Sequence, residues 1–247
     1  MLLKVVRNRI VVATCDTSGG IYKLGLTQGH FTHCIIDEAG ETTEPKSLVP
    51  IGLLGLGQAN EAQIILAGDP KQLGPVLQSS IAAECGLEES FLERLSKLKI
   101  YERDESRFRD HGNYDPVLCT KLIKNYRSHQ DILCVSSKLF YDNELKPEAP
   151  DEIKNAMLDF EFLPNTQCPL IFHGVRGQNI QENDSPSWFN PAEALQVAKY
   201  LGLILNKGVT VEDVGIIAPY RKQTQKLRQL LASFDLPIPK VRKNKYY

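Results

Sequence analysis

Phe31-Thr-His-Cys-Ile-Ile-Asp37-Glu38-Ala39-Gly40 is a short apolar run that ends in two adjacent carboxylates. A run without polar alternation fits a strand covered on both faces. Similar runs recur at residues 10–13, 64–67, 170–172 and 214–218. Segments of helical period lie between several of them. In the clearest, Asn190 can cap a helix with Pro191 at its first position, Glu193 closes a capping-box-like pattern, and Ala194, Val197, Ala198, Leu201 and Leu205 share one face. A second helix follows Tyr220, with Leu227, Leu230 and Leu231 as its stripe. Strands alternating with helices predict an α/β fold of parallel sheets covered by helices. The charged stretch 101–116 ends in turn formers and predicts a boundary, giving domains at 1–112 and 113–247.

In such sheets ligands bind at the carboxyl edge, where Asp37 and Glu38 fall. An Asp there can hold Mg²⁺ through water while the neighbouring Glu positions or deprotonates an attacking water, the Walker B arrangement of phosphoryl transfer. The plainer alternative is a strand end capped by acids. It is weakened by Gln63-Ile-Ile-Leu-Ala-Gly68-Asp69-Pro70-Lys71-Gln72-Leu-Gly-Pro-Val76, a second strand ending in Gly-Asp and a polar turn. A Gln at that level can hydrogen-bond a phosphate or the attacking water.

Composition sets the frame for these motifs. The 247 residues are 42% hydrophobic and 24% charged, close to the globular average. No stretch approaches the roughly 20 uninterrupted apolar residues a bilayer requires, and the first residues lack the pattern of a signal peptide, so no membrane association and a cytoplasmic location are expected. Six cysteines form no C-x-x-C pair, and Cys15, Cys34, Cys119 and Cys168 lie in or beside apolar runs as reduced core thiols do. His30, His33, His129 and His173 show no metal-ligand spacing. From Arg221 onward eight basic residues meet Asp235 alone, so this end carries +7 of a whole-chain −1 and leaves −8 for residues 1–220. That asymmetry suggests a polyanion contact, with a solvated basic helix and tail as the alternative.

The ordered series Asp-Glu-Ala-Gly (37–40), Gly-Asp-Pro-Lys-Gln-Leu-Gly-Pro-Val (68–76), Asn-Tyr-Arg-Ser-His (125–129), Ser-Trp-Phe-Asn-Pro-Ala-Glu-Ala (187–194) and Ile-Ala-Pro-Tyr-Arg-Lys-Gln (217–223) resembles the Upf-like branch of superfamily-one helicases. Gly-His-Phe-Thr-His (29–33), Ile-Phe-His-Gly-Val-Arg-Gly (171–177) and Ser-Pro-Ser-Trp-Phe-Asn-Pro (185–191) are similar to the Armitage and Moloney-leukaemia-virus-ten type RNA helicases. The resemblance runs from Arg9 to about Val241. It implies parts of two RecA-like P-loop NTPase domains that close on ATP and Mg²⁺ while single-stranded RNA crosses both. Asp37 then matches the magnesium ligand, Glu38 the catalytic carboxylate and Gln72 the γ-phosphate sensor. Tyr126 and Arg127 match a pair whose ring packs on the base of ATP and whose guanidinium contacts its phosphates, a task suited to a planar, permanently charged fork. Thr14, Thr17 and Ser18 match a motif that touches the RNA backbone, with a Ser/Thr-rich turn as the alternative. Arg221 and Lys222 match the last motif present and are expected to contact RNA or support the cleft.

The chain contains no G-x-x-x-x-G-K-[ST]; the nearest glycine cluster, Gly19-Gly20-Ile-Tyr-Lys23, has neither the spacing nor the terminal hydroxyl. The resemblance implies that this loop lies upstream of Met1 and that further motifs, including an arginine, lie beyond Val241. Three readings follow: the core of an ATP-dependent RNA helicase in RNA silencing or turnover, met incompletely and inactive by itself, with ribonucleoprotein partners; a non-catalytic RNA- or protein-binding truncated product; or a DNA helicase of the same branch. The choice of RNA over DNA rests on the resemblance alone.

Overall fold

The apolar run at Cys34 forms β1 (His33–Ile36), which pairs in parallel with β2 (Gln63–Leu66), His33 opposite Gln63 and Ile36 opposite Leu66. The computed structural model describes residues 7–26, 29–54, 62–182 and 185–243. The expectation for the first residues, for Lys245 and for the Lys243 side chain lies outside what is described. The chain divides into two compact units, Met1–Met157 and Leu158–Tyr247.

In the first unit, α1 (Cys15–Tyr22) starts at Thr14, whose side chain accepts from the Thr17 amide, and α2 (Glu44–Ile51) follows β1 with Pro45 in its first turn. Cys34, Ile36, Ala39, Ile51 and Leu54 form the buried core, with Cys15, Phe31, Leu66, Phe91 and Leu92 packed around it. Short helices α3 (Ser80–Glu84) and α4 (Phe91–Ser96) come next, each capped by a serine hydroxyl, from Ser79 and Ser90. Arg94 of α4 grips Glu44 of α2 bidentately at 2.7 and 2.8 Å. β3 (Lys124–Asn125) and β4 (Lys146–Pro147) make a second parallel pair. Between them runs α5 (Gln130–Phe140), capped by the His129 ring, and α6 (Asp151–Lys154) ends the unit.

The second unit carries β5 (Ile180–Gln181) antiparallel to β6 (Trp188–Phe189), then α7 (Pro191–Asn206), β7 (Gly215–Ala218), α8 (Arg221–Ser233) and β8 (Lys240–Lys243), with β7 and β8 parallel. The predicted cap forms: Asn190 Oδ1 accepts from the Ala192 and Glu193 amides, and its Nδ2 donates to Glu193 Oε1. Ala194, Ala198 and Leu201 of α7, Ala218, Leu227 and Leu231 of α8, and Val241 form the core.

The observed class is mixed α/β with small parallel sheets, and two of the expected strands are absent from it. Residues 10–13 and 170–172 are not in strands, and Val12 and Phe172 stand 93% and 97% exposed. A strand exists only when its amides and carbonyls find a partner, and each sheet among the described residues has just two strands. Nor is β1 covered on both faces: Cys34 and Ile36 are buried while Ile35 is 67% exposed, since α2 packs against one side. An apolar run reports affinity for a covered strand; whether a neighbour covers it is decided elsewhere.

Leu227 and Leu231 are wholly buried one helical turn apart on α8. Leu231→Ala removes three heavy atoms from a filled site, so we expect a loss of about 2–5 kcal/mol in the unfolding free energy of the second unit, measured by urea denaturation.

Candidate functional site

Beyond β1 the chain turns sharply. Glu38 holds φ 52°, ψ 40°, left-handed backbone that a residue with a Cβ rarely adopts. Its amide donates to Asp37 Oδ1 at 3.1 Å, and the Ala39 amide donates to Ala67 O at 2.8 Å, extending the β1–β2 pairing past the strand ends. Here the two turns touch backbone to backbone. A Cβ on Gly68 would lie 2.9 Å from the Ala39 nitrogen and 3.0 Å from that of Gly40, and one on Gly40 would lie 3.0 Å from Asp69 O. Asp37 and Glu38 are exposed at the edge this nesting builds.

Asp69 organises the second turn. Its Oδ1 accepts from the Lys71 amide at 2.9 Å, and its Oδ2 accepts both from Gln72 Nε2 at 3.0 Å and from the Tyr141 hydroxyl at 2.7 Å. Burial and the Asp69 carboxylate push the Tyr141 phenol up to about 12, against a weaker opposing hydrogen bond from Gln72. Sequence reasoning missed Tyr141: it lies 72 positions from Asp69, and no local spacing marks it.

Tyr126 and Arg127 lie in the turn between β3 and α5. Asn125 Oδ1 accepts from the Arg127 and Ser128 amides at 3.0 and 2.8 Å, an Asx turn that leaves Tyr126 61% exposed and Arg127 exposed. Thr14 and Thr17 keep exposed hydroxyls that bond each other at 2.8 Å, whereas the buried Ser18 hydroxyl donates to Cys15 O.

In the second unit Lys222 does not point into open solvent. Its ammonium pairs with Glu182, as does that of Lys226 at 2.6 Å, and these two bonds lower the Glu182 carboxyl below its usual range. Lys226 also stands 5.0 Å over the Phe189 ring. Gln223 clamps the Asn190 backbone, accepting from its amide at 2.7 Å and donating to its carbonyl. Arg221 faces elsewhere: with Thr224, Gln225, Arg228, Val241 and Arg242 it lines a cavity of about 450 Å³.

Two oxygen donors side by side suit Mg²⁺, which takes one or two carboxylates and completes its shell with water and phosphate oxygens. Among the described residues no group of three or more His, Cys, Asp or Glu could enclose a metal ion. Burial raises the Cys34 and Cys119 thiols, which keeps them protonated and poor nucleophiles. No helix among the described residues is long and apolar enough to cross a membrane.

Residues 4–80 and 87–242 match two protein-family profiles, each described as an AAA domain, which implies a P-loop fold. The chain is 48% identical to the human RNA helicase Mov10l1 over 241 residues, covering 96% of this chain and 20% of that protein. It is 38% identical to the Drosophila melanogaster probable RNA helicase armi over 246 residues (95% and 20%) and 42% identical to the Gallus gallus putative helicase MOV-10 over 242 residues (92% and 24%). The chain belongs to the Mov10/Armitage family of superfamily-one helicases. It spans about a fifth of the length of these relatives.

In this Mov10/Armitage chain the nested turns leave no room for a side chain at Gly68. Gly68→Ala places a methyl against two backbone nitrogens that cannot swing aside, so we expect a loss of about 1–3 kcal/mol in stability, read as a lowered thermal midpoint.

Proposed function

We propose that this chain is part of the core of an ATP-dependent RNA helicase, coupling ATP hydrolysis to RNA unwinding or translocation. The observation that carries the reading is the Asp37-Glu38 pair at the end of β1, with Glu38 held in left-handed backbone. Strain of about 1–2 kcal/mol persists where surrounding structure enforces it, and such sites cluster where chemistry is done. Mg²⁺, when bound, would offset the charge of the phosphate oxygens.

Asp37 would hold the metal. A Glu38 carboxylate oxygen would take a proton from the attacking water as its oxygen bonds to the γ-phosphorus and the bond to the bridging oxygen breaks, releasing ADP. Gln72 would sense the γ-phosphate, Tyr126 would pack on the base, and Arg127 would contact the phosphates. Thr14 and Thr17, backed by Ser18, and Arg221, with Lys222 beside it, would meet the RNA backbone. In this reading the RecA-like portions are 1–112 and 113–247, and the protein acts on single-stranded RNA within ribonucleoproteins of the cytoplasm, in RNA silencing or turnover. RNA is favoured over DNA because two of the relatives above are named as RNA helicases.

In the full-length protein, Glu38→Gln should leave ATP binding intact and abolish most steady-state hydrolysis, since it deletes the proton acceptor and leaves Asp37. Turnover near the wild-type rate would refute the Walker B assignment. Affinity for single-stranded RNA should fall steeply from 50 to 200 mM salt, a slope measured by fluorescence anisotropy; flat affinity would mean that phosphate contacts are not the main contribution.

A further inference from the structure

We propose that Tyr141 is a positioning residue for Gln72: its hydroxyl, through the shared Asp69 carboxylate, ties the helix that follows Tyr126 and Arg127 to the loop that handles the γ-phosphate, and it turns the Gln72 carbonyl oxygen toward water. This rests on the ATPase reading above. Asp69 Oδ2 accepts from Tyr141 Oη at 2.7 Å and from Gln72 Nε2 at 3.0 Å. A carboxylate can only accept, so the amide nitrogen of Gln72 must face Asp69. What remains for a ligand is Oε1, an acceptor, beside the second N–H of the amide. Oε1 suits a water, which has protons to offer, while the remaining N–H can donate to a phosphate oxygen. Gln72 is exposed, and without these bonds its three rotatable torsions would spread over many rotamers.

The tyrosine is held from both sides. Its amide donates to Ser137 O at the end of α5, the Asn143 amide donates to the same oxygen at 2.9 Å, and the Glu144 amide donates to Tyr141 O. Asp142 and Asn143 take positive φ of 54° and 60°, which bends the chain back so that the Leu145 amide meets Ser137 Oγ. Charges then anchor the turn to the preceding segment: Arg103 Nη1 to Asp142 at 2.8 Å and Lys121 Nζ to Glu144 at 2.6 Å. Burial opposes the Lys121 charge, yet Glu144 and Asp142 outweigh it and raise its pKa. Because α5 begins three residues after Arg127 and spans 11 residues, one rigid rod of about 16 Å joins the Tyr126–Arg127 turn to the hydroxyl on Asp69. A shift of that turn when phosphates bind would reach Gln72 without passing through β2.

The test uses the full-length protein, with Glu38→Gln alongside as a control on the reading itself. Tyr141→Phe deletes one oxygen and keeps the ring. We expect RNA-stimulated kcat to fall roughly 10- to 100-fold, with KM for ATP within about two-fold and the thermal midpoint unchanged, since a misplacement of about 1 Å has that effect on turnover. Tyr141→Phe/Gln72→Ala should be no slower than Gln72→Ala alone, and Asp69→Asn should match Tyr141→Phe. Wild-type kcat in Tyr141→Phe, losses that multiply in the double variant, or a loss accompanied by raised KM or a lowered midpoint would each overturn the positioning role. Should Glu38→Gln retain turnover, the ATPase reading falls and the proposal with it; if Glu38→Gln is inactive while Tyr141→Phe is normal, the link through Asp69 alone is refuted.

Discussion

Two strand ends lie against each other with no side chain between them, and everything at the candidate site follows from that approach. The Ala39 amide reaches Ala67 O, and the bare Cα of Gly68 sits where any Cβ would meet the Ala39 and Gly40 nitrogens. The turn after β1 therefore has no freedom to relax outward. Its tight course puts Glu38 into left-handed backbone, at a cost of about 1–2 kcal/mol that a single hydrogen bond such as Ala39 to Ala67 offsets only in part. The rest must come from the core directly beneath, where Ile36, Ala39 and Ile51 are buried together. A small cluster of apolar side chains thus stabilises an exposed carboxylate in a conformation it would not choose.

The same geometry separates the roles of the three carboxylates that emerge there. Asp69 accepts three hydrogen bonds, and bonds to a charged group are worth about 1.5–3 kcal/mol each. Such a group is occupied, and leaving its partners to ligate a metal would forfeit most of that energy. Asp37 accepts from the Glu38 amide, and both side chains are exposed, with neither in a salt bridge among the described residues. Magnesium, which dehydrates reluctantly and asks for one or two carboxylates, is better matched to the pair than to the bonded acid.

Much of this could be read in the residues, and the limit has a physical form. Short-range signals survived folding. The Asn190 cap and the Leu227–Leu231 stripe each depend on neighbours within a few positions, and each formed. Long-range signals did not show. The apolar runs at 10–13 and 170–172 carry as much strand character as β7, but pairing depends on a partner that composition cannot supply. Tyr141 is an unremarkable residue after an amphipathic helix until the turn at Asp142 and Asn143 delivers its hydroxyl to Asp69. The basic end misled in another way, because counting Lys222 and Lys226 as available charge ignores Glu182, which holds both.

That pairing changes what the charge asymmetry means. The +7 of the final 27 residues overstates the field a polyanion would meet, since two ammonium groups are already opposed by one carboxylate. Three guanidiniums, of Arg221, Arg228 and Arg242, line one cavity instead, and Arg228 is braced by donating to Val241 O at 2.8 Å. Guanidiniums stay charged at any pH the protein meets and give up hydration more readily than ammonium groups. Attraction at this face would accordingly be independent of pH and sensitive to salt over the Debye length of about 8 Å. The start of α8, where Arg221 lies, is held beside β6 by other contacts: the Lys222 amide donates to Ser187 Oγ at 3.1 Å, and Gln223 bonds both backbone groups of Asn190.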